Sequence, residues 1–213
     1  LSDHLVLMEA YGNEAQTLAR IDAANELVPG KEVTHLIVSH HHDDHAAGVR
    51  GAVSRGITIV AHRRNQALYE EWVSRPAVYF PDELARNPQP LKFLPVDDKL
   101  VLGDSTRQLE VYHAVGHMHM SDAVIAYLPQ EKIIMEADFT DENYEFNWWG
   151  GALQANIDHY GLDVESSIPV HGSPGPIAQK MARTREQVEA ARAFCAEKFA
   201  AGVYPFGCPV QSE

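Results

Sequence analysis

Six consecutive residues, His40-His41-His42-Asp43-Asp44-His45, supply four imidazoles and two carboxylates. Imidazole nitrogen and carboxylate oxygen together suit zinc, iron or manganese. Spacing matters as much as residue type. Residues i and i+2 share a side on an extended segment but not on a helix. An extended approach therefore aims His40 and His42 at one ion while His41 turns away. Asp44 and His45 then fall where a helix begins, and from there neighbouring side chains reach a second ion. Expression-tag histidine runs sit at termini. This cluster instead follows Val33-Thr34-His35-Leu36-Ile37-Val38, a β-branched, apolar run that reads as a buried strand.

The elements that position the cluster are legible in outline. Residues 4–8 read as a strand and 13–27 as a helix stopped by Pro29-Gly30. Residues 46–55 read as a short helix, 57–61 as a strand and 63–73 as a helix. Residues 74–95 contain five prolines and read as an irregular surface excursion. Strand patterns resume at 99–102, 107–113, 122–128 and 132–136, the last two joined by a turn at Pro129-Gln130-Glu131. Residues 152–160 read as a helix, 167–170 as a strand ending at His171, and 177–200 as the final helix. Strands and helices alternate with interposed hairpins, which makes the class α/β or α+β.

A chain of 213 residues, 45% hydrophobic and 22% charged, suits a single globular domain over 1–213. A formal net charge of −13 argues against nucleic acid and anionic membrane as partners and leaves a small-molecule substrate. No apolar run approaches the roughly 20 residues of a membrane span, so the expectation is a soluble chain. Cys195 and Cys208 form neither a zinc knuckle nor a CxxC redox pair. A disulfide and two free thiols both remain open, and with them a cytoplasmic, periplasmic or secreted location. Tyr144, Phe146, Trp148 and Trp149 offer an apolar wall for substrate or a cap on the core, and Asp141, Glu142 and Glu145 read as solvated. His35 and His113 read as strand or core histidines, and His4, His62 and His159 as surface ones.

The motif His40-x-His42-x-Asp44-His45, preceded by an apolar strand and followed by Ala46-Ala47-Gly48, resembles the signature of the metallo-β-lactamase superfamily. Further matches follow in order: His119 ahead of a strand ending in Tyr127-Leu128-Pro129, then Ala137-Asp138, then Pro169-Val170-His171-Gly172. The resemblance covers roughly residues 3–175. It implies a four-layer αββα sandwich and a dinuclear centre of two zinc ions, with iron or manganese as substitutes. In that centre His40, His42 and His119 hold one ion, Asp44, His45 and His171 hold the other, and Asp138 lies between them. The implied chemistry is attack of a bridging hydroxide on the carbonyl of an ester, lactone, thioester or amide, with Asp44 orienting the nucleophile. His117 shares strand parity with His119 and competes for the third position. The family's spacing to Pro129 favours His119 and leaves His117 to support a ligand or substrate.

Departures from the family narrow the substrate. The best-known β-lactamases carry cysteine where Asp138 stands and lysine where Asp141 stands, so β-lactam hydrolysis is expected to be weak. The segment 141–146 lacks the glycine- and arginine-rich thioester-binding sequence of glyoxalase II relatives. RNase Z-like members need a basic surface, and flavo-diiron proteins place glutamate where His42 stands. Pro81-Asp82-Glu83-Leu84-Ala85, the Tyr127–Ile133 hairpin and Glu136-Ala137-Asp138 are similar to a bacterial branch of the superfamily. An iron-dependent sulfur dioxygenase and a metal-binding relic without turnover are the alternatives. The family opens with one or more β-hairpins ahead of the strand at 4–8. This sequence starts at Leu1, so the expectation is a shortened form whose exposed sheet edge pairs in a homodimer.

Overall fold

The computed structural model describes residues 1–205, 207 and 208. Ten strands form two sheets flanked by helices. The chain opens with β1 (His4–Met8), α1 (Glu14–Leu27) and β2 (Glu32–Ile37). There follow α2 (Asp43–Ala46), α3 (Val49–Ser54), β3 (Thr58–His62), a 3-10 turn, α4 (Gln66–Ser74) and α5 (Glu83–Arg86). Next come β4 (Lys92–Val96), β5 (Lys99–Gly103), β6 (Gln108–His113), β7 (Val124–Leu128) and β8 (Ile133–Glu136). α6 (Gly151–Tyr160), β9 (Ser166–Pro169), β10 (Gly175–Pro176) and α7 (Ile177–Ala200) complete the order. One sheet runs β1-β2-β3-β4 and is parallel throughout; the other runs β10-β9-β8-β7-β6-β5.

Cα proximity separates two compact units, one of Leu1–His113 with Asp122–Ala126, the other of Ala114–Ser121 with Tyr127 onward. In the first, parallel strands buried on both faces carry the continuous apolar runs such sheets require. Leu36, Val38, Ile59 and Ala61 are fully buried and pack with Ile21 of α1, Val49 and Val53 of α3 and Tyr69 of α4. Asn13 caps α1 by accepting from the Gln16 amide at 2.9 Å. Gly48 separates α2 from α3, where the sequence suggested one helix. A Cβ there would lie 1.9 Å from Thr17 Oγ1, so only glycine lets α1 approach this closely.

The proline-rich excursion contains two elements that its composition conceals. α5 is capped by Asp82, which accepts from the Ala85 amide at 2.8 Å and is held by the Arg50 guanidinium. That guanidinium holds the Asp82 carboxyl below the ordinary carboxylate range, its hydrogen bond being the largest cause. The same side chain donates to the carbonyls of Trp72, Val73 and Arg75 and so ties the excursion to α3. β4 includes Pro95, and it tolerates a residue without an N–H because it is an edge strand.

In the second unit β8 pairs with β9 in parallel, and β9 pairs with β10 antiparallel. Ile134, Phe139 and Leu153 are fully buried there. Cys195 of α7 forms a disulfide with Cys208, with Cα atoms 5.6 Å apart. Among the described residues, no helix is long and apolar enough to cross a membrane.

Candidate metal centre

The histidine motif occupies the turn after β2 and the four residues of α2. Beyond Ile37 the backbone leaves the sheet and is pinned by two bonds: the Val38 amide donates to the Val60 carbonyl at 2.9 Å, and the Val124 amide donates to the Ser39 carbonyl at 2.8 Å. His40 is 1% exposed, and its Nδ1 lies 3.0 Å from Ser39 Oγ. A hydrogen bond on the far nitrogen of an imidazole fixes the ring for ligation by the other. His40 Nε2 and His42 Nδ1 converge to 3.1 Å. Two ligands each about 2.0–2.1 Å from a tetrahedral ion stand roughly 3.3 Å apart, so this pair already has ligand-like spacing. His41 turns the other way, its Nδ1 3.4 Å from Asp122 Oδ2, as the alternation of side chains requires.

His42 precedes the first residue of α2, which places Asp44 and His45 on its single turn. Asp44 Oδ2 lies 3.2 Å from His45 Nε2, the carboxylate about half exposed and the imidazole fully buried. Behind it, Glu9 Oε2 is 3.7 Å from His45 Nδ1 and accepts from the Ser39 amide at 3.4 Å. Glu9 is 1% exposed and takes a positive φ of 74°, a conformation unusual for a non-glycine residue. The turn after β1 grips the motif through its backbone: the Ala10 amide donates to the His45 carbonyl at 3.0 Å and the Gly12 amide to the Asp44 carbonyl at 3.2 Å. Sequence reasoning passed over Glu9. A lone acid closing an apolar strand is its only signal.

The remaining predicted ligands come from loops of the second unit. Residues 114–121 form no strand, so the parity argument for His117 and His119 does not apply. The loop is held instead by buried Asn156 of α6, which accepts from the Val115 amide and donates to the Val115 carbonyl, both at 2.8 Å. His119 Nε2 is 3.0 Å from Asp138 Oδ2, and His171 Nε2 is 3.2 Å from Asp138 Oδ1. One carboxylate thus presents a different oxygen to each of two imidazoles. Buried His117 sits against the Phe139 ring at 4.0 Å, and its Nδ1 accepts from the His119 amide at 3.3 Å.

Asp138 takes a φ of 66° at the end of β8. Glu136 closes this turn by accepting from the Phe139 amide at 3.0 Å and the Thr140 hydroxyl at 2.5 Å. Full burial pushes its carboxyl up to about 7. The Trp149 indole N–H donates to the Asp138 carbonyl, while its ring stacks on His119 at 4.7 Å. Trp149, named in sequence only as wall or cap, therefore orients two predicted ligands at once.

Within the first unit, His40 and His42 converge, as do Asp44 and His45; within the second, His119 and His171 converge on Asp138. All seven residues singled out in the sequence lie in these two sets, whereas His117 packs against Phe139. Imidazoles with carboxylates suit divalent metal ions, and the two oxygens of Asp138 face different imidazoles. His62, expected at the surface, is 6% exposed and lies 4.3 Å from the His113 ring, and this burial lowers its pKa. His4 bonds Asp3 at 2.6 Å, and its ring is 5.4 Å from that of His35.

A chamber of about 270 Å³ is lined by His119, Asp138 and His171 together with Tyr144, Phe146, Asn147, Trp148, Trp149 and Asp141. The aromatic segment serves both roles raised by its sequence. It walls this chamber, and Phe146 and Trp148 also pack on Phe194 of α7. Asp141 is buried at 9% exposure rather than solvated, and Glu142 pairs with Lys180 at 2.7 Å.

Among solved structures, the fold is similar to the metallo-beta-lactamase from Pontibacter korlensis: TM-score 0.66 and 19% identity, covering 87% of this chain and 82% of that one. DIM-1 metallo-beta-lactamase aligns with a TM-score of 0.67 and 20% identity over 90% of this chain and 84% of its own. FIM-1 from Pseudomonas aeruginosa, in its mono-zinc form, gives 0.65 and 17% over 91% and 81%. No curated protein matches the chain in sequence. The sequence profile of the metallo-beta-lactamase superfamily matches residues 9–188, and the chain belongs to that superfamily.

Proposed function

We propose that this protein is a zinc-dependent hydrolase that cleaves an ester, lactone, thioester or amide. The observation that carries the reading is the Asp138 carboxylate, with Oδ2 toward His119 and Oδ1 toward His171. Two bound zinc ions supply a water acidic enough to ionise near neutral pH and a Lewis acid for the carbonyl oxygen. The half-exposed carboxylate of Asp44 holds the attacking water by accepting its proton. Trp149 and Asn156 keep His119 in place, the aromatic wall excludes bulk water from the substrate, and Asp141 stands against a carboxylate-bearing substrate such as a β-lactam. The Cys195–Cys208 disulfide supports a location outside the reducing cytoplasm.

Elemental analysis of protein prepared without a histidine tag tests the reading. Near two zinc per chain, with chromogenic ester or lactone hydrolysis lowered at least about a hundredfold by Asp44→Asn, is the expected result. Near one iron per chain with oxidation of a persulfide would establish the dioxygenase instead. Equal hydrolysis by wild type and Asp44→Asn would overturn the role given to Asp44.

A further inference from the structure

We propose that the chamber beside Asp138 selects substrates carrying a positively charged nitrogen, an ammonium or quaternary ammonium group, on the portion remote from the scissile carbonyl. The inference rests on the hydrolase reading for the reaction but not for the binding. Four aromatic side chains, Tyr144, Phe146, Trp148 and Trp149, line one small chamber with one carboxylate beyond the predicted ligands, Asp141. The faces of aromatic rings attract cations, indole most strongly, and the attraction grows where water is excluded.

Asp141 supplies the matching charge. Its Oδ1 accepts from the amide and the side-chain nitrogen of Asn143, at 2.8 and 2.9 Å, and no lysine or arginine among the described residues pairs with it. The contrast with its neighbour is informative. Glu142 is neutralised by Lys180 at 2.7 Å and accepts from the Ser173 amide at 2.8 Å, so it serves the fold. Asp141 keeps a net negative charge at the chamber wall, where a carboxylate or phosphate ligand would be repelled. A neutral apolar ligand would use the rings and leave the charge unanswered. With ions bound, the lining at His119, Asp138 and His171 is electropositive, so the ligand's nitrogen belongs beside Tyr144, Phe146, Trp148 and Asp141 and its carbonyl beside the predicted ligands. A volume of about 270 Å³ is that of roughly nine waters, enough for a short acyl or alcohol chain bearing one such head group. The net charge of −13 attracts cations from a distance as well.

Choline and its neutral isostere 3,3-dimethylbutan-1-ol, titrated against tryptophan emission of the metal-free protein, test the binding without any turnover. The expected result is at least tenfold tighter binding of choline. In Asp141→Asn, which retains the oxygen that accepts from Asn143, the preference falls below threefold at unchanged melting temperature. Equal binding of the two probes by wild type, or an undiminished preference in Asp141→Asn, overturns the proposal. Should the variant fail to fold, the wild-type probe pair still decides. Acetylcholine and 3,3-dimethylbutyl acetate, offered to the zinc-loaded enzyme, then separate the two readings. A choline preference in binding with hydrolysis of neither ester counts against ester hydrolysis and supports the chamber's selectivity. Hydrolysis of both esters at equal kcat/KM, with no preference in binding, does the reverse.

Discussion

Asp138 combines a left-handed backbone with a carboxylate that two imidazoles share. Aspartate and asparagine visit that region more readily than other non-glycine residues because of their short polar side chains. Charge and backbone tolerance can therefore be tested separately. Asp138→Asn is expected to melt within about 3 °C of wild type, a shift of under about 1 kcal/mol, yet to keep fewer than one zinc per chain after dialysis. Asp138→Val should lose metal and also about 1–3 kcal/mol of stability to backbone strain. Full metal retention by Asp138→Asn, read by elemental analysis, would remove Asp138 from the centre. At this scale the sequence was most legible where chemistry is local. His40, His42, Asp44 and His45 announce themselves within six residues, whereas Glu9 and Trp149 act on ligands from distant segments and carry no pattern of their own. His62 is the converse case: its burial against His113 depends on where two strands end, which residue type cannot reveal.

Among the elements, α7 does more than close the second unit. Lys180, Arg183 and Gln187 lie at spacings of three and four and so share a helix face, and all three grip the loop that carries Asp141. Lys180 pairs with Glu142, Arg183 donates to the Glu142 and Tyr144 carbonyls, and Gln187 donates to those of Asp141 and Tyr144 at 2.7 and 2.6 Å. Gln187→Leu would take its side-chain donor from the buried Asp141 carbonyl and leave the Tyr144 carbonyl to Arg183, and should cost about 1–2 kcal/mol, read by urea denaturation. A change below about 0.5 kcal/mol would mean the loop holds itself. The ion pair has its own pH signature. Lys180, through its hydrogen bond, draws the Glu142 carboxyl down to about 2 from an ordinary 4.5. A lowered folded-state value adds stability above the unfolded one, and that stability fades as pH falls through the folded one. The stability difference between wild type and Lys180→Met should thus be constant above pH 5 and vanish on acidification toward pH 2. Helices and strands with clear periodicity were legible in sequence, including α1, β2 and α7. β4 and α5 were not, because proline density reads as an irregular excursion even where an edge position or a single capped turn accommodates it.

At the scale of the whole chain, motif order was legible because the predicted ligands lie in the segments that follow β2, β6, β8 and β9, and the order of those segments is fixed by the fold. The state of the two cysteines was not legible, since a gap of twelve residues permits either outcome. The structure joins Cys195 to Cys208 across a sequence separation of 13, and Gly207, next to the second sulfur, rests on the indole of Trp148, where a Cβ would stand 3.1 Å from the ring. Closing a loop of that length is worth about 3 kcal/mol in the chain-entropy account, so reduction should lower the melting temperature and shift tryptophan emission to the red. An unchanged emission spectrum would show that Trp148 keeps its place without the bond. Trp148 lines both the chamber and a larger cavity of about 590 Å³. If reduction displaces Trp148, the redox poise of the surroundings would reach the chamber through one indole ring, and the same polypeptide with and without a reductant would behave as two different receptors.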